Sequence, residues 1–289
     1  MQSIAIRSVV LMMLVVVSLN AGEKRDLILV AGQSNAVGYD AKPEELPEDG
    51  RDRQVMFWFK VGDPPPDKHD SMSDGWTHLR PHPLGNPKKP RKDRQYGNFA
   101  QPSGGFGPEI GLARTLLDKG KTNLAIVKAA FSGTGIGRDW NPRSEGEDGV
   151  CYRALVAETH KAIAAAEKQG IEFRLRALVW VQGESDANAG NVHLYAGRMA
   201  KLIAALRKDL NAPDLIALLA VNTRFLEGRN KLMPLIVASQ REVAAKDQLV
   251  TYVDTSKCTI ANRVHFDSKG TLEMGRLLAE ALLRLESVD

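Results

Sequence analysis

Two cysteines, Cys151 and Cys258, in 289 residues are too few to build a disulfide scaffold, and aromatic residues amount to only 6%. Neither sign of charge dominates. Lys+Arg 39 against Asp+Glu 35 leaves +4, and the positive charge is not gathered into a helix face or a repeated motif. No nucleic acid partner is therefore expected, even with an isoelectric point near 9.0. No two histidines have the His-Glu-x-x-His spacing and no cysteine pair offers a zinc knuckle, so neither metal nor cofactor is expected. Internal repeats are absent. Beyond residue 22, no apolar run approaches the roughly 20 residues a membrane span needs. What remains, 43% hydrophobic and 26% charged, is the balance of a globular protein long enough to bury a sizeable core.

The first residues stand apart. Arg7 precedes the apolar run Val9–Val17, which closes on the small residues of Ser18-Leu19-Asn20-Ala21-Gly22. A basic residue, an apolar core and a small-residue exit describe a secretory signal peptide over residues 1–21. The competing reading is a retained N-terminal anchor. Export implies a secreted or periplasmic protein with no membrane association after signal removal. It also permits a Cys151–Cys258 disulfide, with two free thiols as the alternative.

Residues 22–289 read as one domain. Apolar runs at Leu27–Ala31, Asn123–Val127, Ala177–Val181, Leu215–Leu219 and Leu249–Val253 suit buried parallel strands. Helical patterns alternate with them: one opening at Pro108-Glu109, then about Tyr152–Gln169, Tyr195–Leu210, Pro234–Lys246 and Ser268–Leu283. Five strands alternating with five helices predict an α/β protein, a three-layer α/β/α sandwich with a five-stranded parallel sheet. One segment breaks the rhythm. Eight of the fourteen prolines fall between Pro64 and Pro102, and about 63–105 reads as a Pro-rich surface insertion around the site. Its basic run Lys88-Lys89-Pro90-Arg91-Lys92 reads as a solvated loop, and Val55–Phe59 before it as an edge strand.

Ligands of open parallel sheets gather outside the carboxyl ends of the strands. Polar residues and glycines follow each predicted strand there. They are Gly32-Gln33-Ser34-Asn35-Ala36, Phe131-Ser132-Gly133-Thr134-Gly135, Gln182-Gly183-Glu184-Ser185-Asp186, Asn222-Thr223-Arg224, and Asn262-Arg263-Val264-His265-Phe266-Asp267. A serine, a histidine, carboxylates and glycine turns on one edge are the parts of nucleophilic acyl transfer. Ser34 at an exposed strand-end turn is the candidate nucleophile; as a purely structural residue it would be a helix N-cap. His265 is the candidate base, because the other five histidines lie in the insertion or in helices.

Gly-Gln-Ser-Asn-Ala after the first strand, Gln-Gly-Glu-Ser-Asp after the third and His-Phe-Asp before the last helix resemble the SGNH hydrolase superfamily. Within it they resemble the sialate O-acetylesterase and acetylxylan esterase branch, carbohydrate esterase family 6. The resemblance covers nearly all of the chain after residue 21, with its motifs in order. It implies a flavodoxin-like sandwich and a secreted serine esterase that removes O-acetyl groups from a carbohydrate. It also implies Ser34 as nucleophile, His265 as base, and an oxyanion hole of the Ser34 N–H, Gly133 and the Gln182 side chain, with Ser185 as rival to Gln182. Read without the resemblance, Gly133 is a turn residue and Gln182 a satisfied polar group at a strand end.

The chain departs from that pattern at one place. The superfamily places Asp three residues before its histidine, and here that position holds Asn262. An amide can hold an imidazole but cannot offset the positive charge it gains. Glu184 is the favoured substitute, with Asp267 or Asp186 at longer reach, or no acid at all. Glu184 could instead brace its loop through backbone N–H groups. The same departure sustains an alternative function, a non-catalytic glycan-binding protein on this fold. Trp58, Trp76 and Trp140 are candidate sugar platforms, and Arg138 and Arg224 candidate substrate contacts.

Overall fold

The run from Leu27 to Ala31 is apolar at every position because both of its faces are buried. Ile28 and Val30 enter one hydrophobic core; Leu27, Leu29 and Ala31 enter the other. The computed structural model describes residues 23–86, 88–89 and 99–287. There the run becomes β1 (Glu23–Gly32), at the centre of a sheet of eight strands. Of the others, β2 is Met56–Gly62, β3 Ser71–Met72, β4 Thr77–His78, β5 Leu124–Phe131, β6 Ile171–Val181, β7 Ile216–Ala220 and β8 Val250–Tyr252. The order is β3-β2-β5-β1-β6-β7-β8, with β4 also on β2. Every pairing from β2 through β8 across the centre is parallel, while β3 and β4 run antiparallel to β2.

Helices cover both faces. The apolar stripes of α2 (Glu109–Asp118) and α6 (Ser268–Glu286) complete one core through Ile110, Leu116, Met274 and Leu278. Those of α3 (Val150–Glu167), α4 (Tyr195–Asp209) and α5 (Met233–Lys246) complete the other through Leu155, Leu202, Leu206 and Ile236. The three-layer α/β/α sandwich expected from the alternating pattern is therefore the fold. All five expected strands take part, and the run expected at an edge becomes a sixth parallel strand beside β5.

One expectation is corrected, one open alternative is decided, and one falls outside the described residues. The segment about 63–105 is not only surface: it supplies β3 and β4, and it buries Leu79, His82 and Phe99, with Phe106 buried just after it. Its apolar residues are spaced singly among prolines and glycines, so they carry no period. The two cysteines are free and buried rather than bridged. The expected signal peptide lies outside the described residues, as does part of the basic run. No described helix is long and apolar enough to cross a membrane.

What matters for a site is the path around β1. The chain goes from β1 to β2 and β5 on one side, then returns to β6 on the other, which opens a crevice at the carboxyl ends of β1 and β6. The two strands close there on each other's backbone. Gly32 has φ +135°, and a Cβ on it would stand 2.1 Å from the Val181 carbonyl oxygen.

Candidate active site

Directly after Gly32 the chain winds into a single helical turn, α1 (Ser34–Val37). Gly38 ends it in the left-handed region at φ +89°, its N–H donating to the Ser34 carbonyl at 2.9 Å. A side chain at Gly38 would strike the Phe106 carbonyl, so the end of the insertion packs against this turn. The reversal carries Asp40 back over the rim toward the loop that follows β8.

That loop is pinned on both sides of His265. The Val264 carbonyl accepts from the side-chain amides of Asn222 (2.9 Å) and Asn35 (3.3 Å). The N–H of buried Phe266 donates to Asn35 Oδ1 at 3.1 Å. The imidazole then meets the nucleophile turn with both nitrogens. His265 Nε2 lies 3.0 Å from Ser34 Oγ across 231 positions of chain, and Nδ1 lies 2.7 Å from Asp40 Oδ2. The ring of Tyr39 lies against it, centroid to centroid 4.5 Å.

The protonation pattern follows from the carboxylate. Burial acts to raise Asp40, but hydrogen bonds from His265 and Asn262 and the nearby charges of His265 and Lys42 outweigh it, holding the carboxyl below its ordinary value. An ionised carboxylate only accepts, so Nδ1 carries the proton and Nε2 is free to accept from the Ser34 hydroxyl. Ser34 is 5% exposed.

Glu184, the favoured acid of the sequence reading, does not reach the imidazole in this way. Its Oε1 accepts from Asn35 Nδ2 (2.8 Å) and the Asn222 N–H (3.0 Å), the two asparagines that clamp the His265 loop. Glu184 thus stands one step behind the histidine, fully buried, with Oε2 lacking a partner. Burial raises its pKa against the pull of those hydrogen bonds. Asp267 caps α6 through the Gly270 N–H (2.7 Å), and Asp186 accepts from the Ile136 N–H (2.9 Å) and Gln182 Nε2 (2.6 Å). Among the described residues, neither makes a hydrogen bond or ion pair with the His265 ring. Asp40 escaped the sequence reading because no strand end or motif marks it. The signal was a carboxylate just past a Gly-capped single turn.

The expected oxyanion donors separate similarly. Among the described residues, neither the Ser34 N–H nor the Gly133 N–H has an acceptor, and the space around Gly133 Cα is open. Gln182 is fully buried, and its amide is committed. Nε2 donates to the Thr134 carbonyl (3.0 Å) as well as to Asp186, and Oε1 accepts from Tyr195 (3.1 Å). Its alternative reading, a satisfied strand-end amide, is the observed one. The Ser185 backbone N–H donates to Gln33 Oε1 at 3.3 Å, tying this loop to the nucleophile turn.

The candidate sugar contacts do not assemble here. Trp140 is buried and donates to Thr134 Oγ1, whereas Trp58 and Trp76 pack against α3 through Glu158 and the Ala162 carbonyl. Arg224 turns its guanidinium to the Cys258 carbonyl, and Arg138 is exposed beside Asp139. Below α1, fully buried Lys128 donates to the Val37 carbonyl (3.1 Å) and to Glu109 Oε2 (2.8 Å). Glu109 Oε1 accepts from the Gly107 N–H (2.8 Å). Burial lowers Lys128 to about 8 despite Glu109. No group of His, Cys, Asp and Glu among the described residues could hold a metal ion.

A serine, a histidine and a carboxylate thus stand in line at the carboxyl rim of an α/β/α sandwich. The chain belongs to the carbohydrate esterase, sialic acid-specific acetylesterase family, whose model matches residues 24–284. A probable carbohydrate esterase of Arabidopsis thaliana is 26% identical over 184 residues, 62% of this chain and 64% of that relative, so under two thirds of its length is matched. Three crystal structures share the fold. An Arabidopsis thaliana protein has a TM-score of 0.63 at 19% identity, covering 91% of this chain and 98% of its own. NanS has 0.59 at 17% (93% and 99%), and a carbohydrate acetylesterase from Xanthomonas citri 0.59 at 17% (91% and 57%).

Proposed function

We propose that the protein is an exported serine esterase that removes O-acetyl groups from a carbohydrate, of sialate or xylan type, through an acyl-enzyme. The observation that carries this reading is the continuous line Ser34 Oγ–His265 Nε2, His265 Nδ1–Asp40 Oδ2, at 3.0 and 2.7 Å. Ser34 Oγ attacks the acetyl carbonyl as its proton passes to His265 Nε2. The oxyanion is received by the unpartnered N–H groups of Ser34 and Gly133, each such donor being worth about 10²–10³ in rate. The tetrahedral intermediate collapses, the sugar oxygen takes the proton from His265, and acetyl-Ser34 remains. Water then gives a proton to Nε2 and attacks the acyl carbonyl; collapse returns the proton to Ser34 Oγ and releases acetate. Asp40 orients the ring and offsets the charge His265 gains, which is the function the glycan-binding alternative lacked.

Acetate release from a panel of acetylated saccharides, together with p-nitrophenyl acetate, tests the reading. Ser34→Ala and His265→Ala are expected to lose at least about 10³-fold in kcat while keeping the wild-type melting temperature. A wild-type rate no greater than that of Ser34→Ala on every ester would overturn it.

A further inference from the structure

Asp40 Oδ2 receives two donors at once. The His265 Nδ1–H approaches at 2.7 Å and the Asn262 Nδ2–H at 2.8 Å. Asn262 is itself oriented from behind, its Oδ1 accepting from the Val264 N–H (2.8 Å) and the His265 N–H (3.0 Å). The amide that stands where the resembled superfamily carries its acid is therefore not a vestige. It bridges the histidine's own backbone to the carboxylate that serves the histidine's ring. Two donors converging on one oxygen leave room for one negative charge. Carboxylates at both positions would put acceptor oxygens within about 3 Å, where like charges cannot both ionise and one pKa is driven up.

We infer that Asn262 is a positioning residue for Asp40, and that positions 40 and 262 form an exchangeable acid–amide pair in which either member can serve the His265 Nδ1–H provided that only one is a carboxylate. The inference rests on the proposed esterase reading for its kinetic arm. The geometry favours exchange because both side chains already converge on one point beside Nδ1. An aspartate at 262 keeps the acceptor that fixes the Val264 and His265 N–H groups. An asparagine at 40 keeps a hydrogen-bonding group facing it. The other ionisable groups about the pair and the His265 ring are Lys42, whose Nζ is taken by Glu45 at 2.9 Å, Tyr39 against the imidazole, Asp63 near Tyr39, and buried Glu184, which also feels the charge of His265.

Four variants test this: Asp40→Asn, Asn262→Asp, the double variant, and Asn262→Ala. Each is read by kcat and kcat/KM across pH 4–10 and by the low-field proton resonance of the His265 Nδ1–H. Asp40→Asn is expected to lose about 10²–10⁴ in kcat and the resonance. The double variant is expected to regain at least about tenfold over Asp40→Asn, with the resonance restored. Asn262→Asp alone is expected to move the acid limb of kcat/KM to higher pH, as two carboxylates share a proton. Asn262→Ala is expected to lower kcat more than it changes KM. A folded double variant no faster than Asp40→Asn and without the resonance overturns the exchange. If the double variant does not fold, an Asn262→Ala profile and resonance identical to wild type overturn it. Failure of the esterase reading is distinguishable, since a wild type inactive on every ester still shows or lacks the Nδ1–H resonance in the same series.

Discussion

Replacing Glu184 tests whether its charge acts on the imidazole directly or its oxygen only holds the asparagines beside the His265 loop. Glu184→Gln keeps an oxygen where Oε1 now accepts from Asn35 and Asn222, and it places an NH₂ where Oε2 has no partner. The hydrogen bonds that hold the His265 loop survive, and only the charge is removed. Because burial raises this carboxyl, the folded state binds a proton that the unfolded chain has already released at the same pH. Stability from this group is therefore lost as pH rises from the ordinary carboxylate range through the raised value. At pH 7 the glutamine variant should melt at or above the wild-type temperature, and the difference should vanish in acid. Its kcat should stay within about fivefold of wild type.

Glu184→Ala is the contrasting case. It takes an acceptor from one Asn35 amide hydrogen, leaving that amide only the Val264 carbonyl, and strands the Asn222 N–H, at about 1–3 kcal/mol each. At roughly 2 °C per kcal/mol for a chain of this size, the melting temperature should fall by about 4–12 °C. Loosening both flanks of His265 should also lower kcat well below that of the glutamine variant. Calorimetry together with initial rates on p-nitrophenyl acetate reads both effects. A Glu184→Gln enzyme that melts normally yet has lost about 10² or more in kcat would refute the reasoning, because the charge on Glu184 would then be acting on the imidazole directly.

Gln182→Ala should lower the melting temperature, since Asp186, Thr134 and Tyr195 all lose a partner, yet reduce kcat by less than about tenfold. A loss of 10²–10³ with intact stability would restore Gln182 as an oxyanion donor. Lys128→Met leaves Glu109 buried without its cation and should cost about 3–5 kcal/mol in chemical denaturation. Adding Glu109→Gln should recover most of that loss, and no recovery would show that Lys128 matters through the Val37 carbonyl instead.

The sandwich was legible because parallel strands buried on both faces carry an unbroken apolar signature, and their helices a 3.6-residue one. The insertion was not, because Leu79, His82 and Phe99 contribute to the core singly, held by a path without period. Ser34 and His265 were legible as chemistry at strand ends. The carboxylate that meets the imidazole, Asp40, was not, because its position depends on a backbone reversal. Asp40 lies six positions after Ser34, and only the one-turn helix and the left-handed Gly38 bring the carboxylate back to the imidazole. Sequence spacing reports which residues leave a strand end together. It does not report which of them return.

That return also explains why the departure at Asn262 need not silence the site. An acid on the His265 loop would share that loop's motions with the imidazole. An acid after α1 instead shares the support of Ser34, because the Ser34 carbonyl accepts from both the Gly38 and Tyr39 N–H groups at the end of the turn that leads to Asp40. Below it, the Val37 carbonyl is held by buried Lys128. Ser34 and Asp40 are therefore carried by one hydrogen-bonded turn, and His265 comes to them from a separate loop. The clamp on that part is correspondingly elaborate: Asn35 and Asn222 hold its two flanks, and Glu184 holds both asparagines. Glu184, chosen from sequence as the residue touching the imidazole, instead touches the two asparagines, which is why removing its charge and removing its oxygen should have such different consequences.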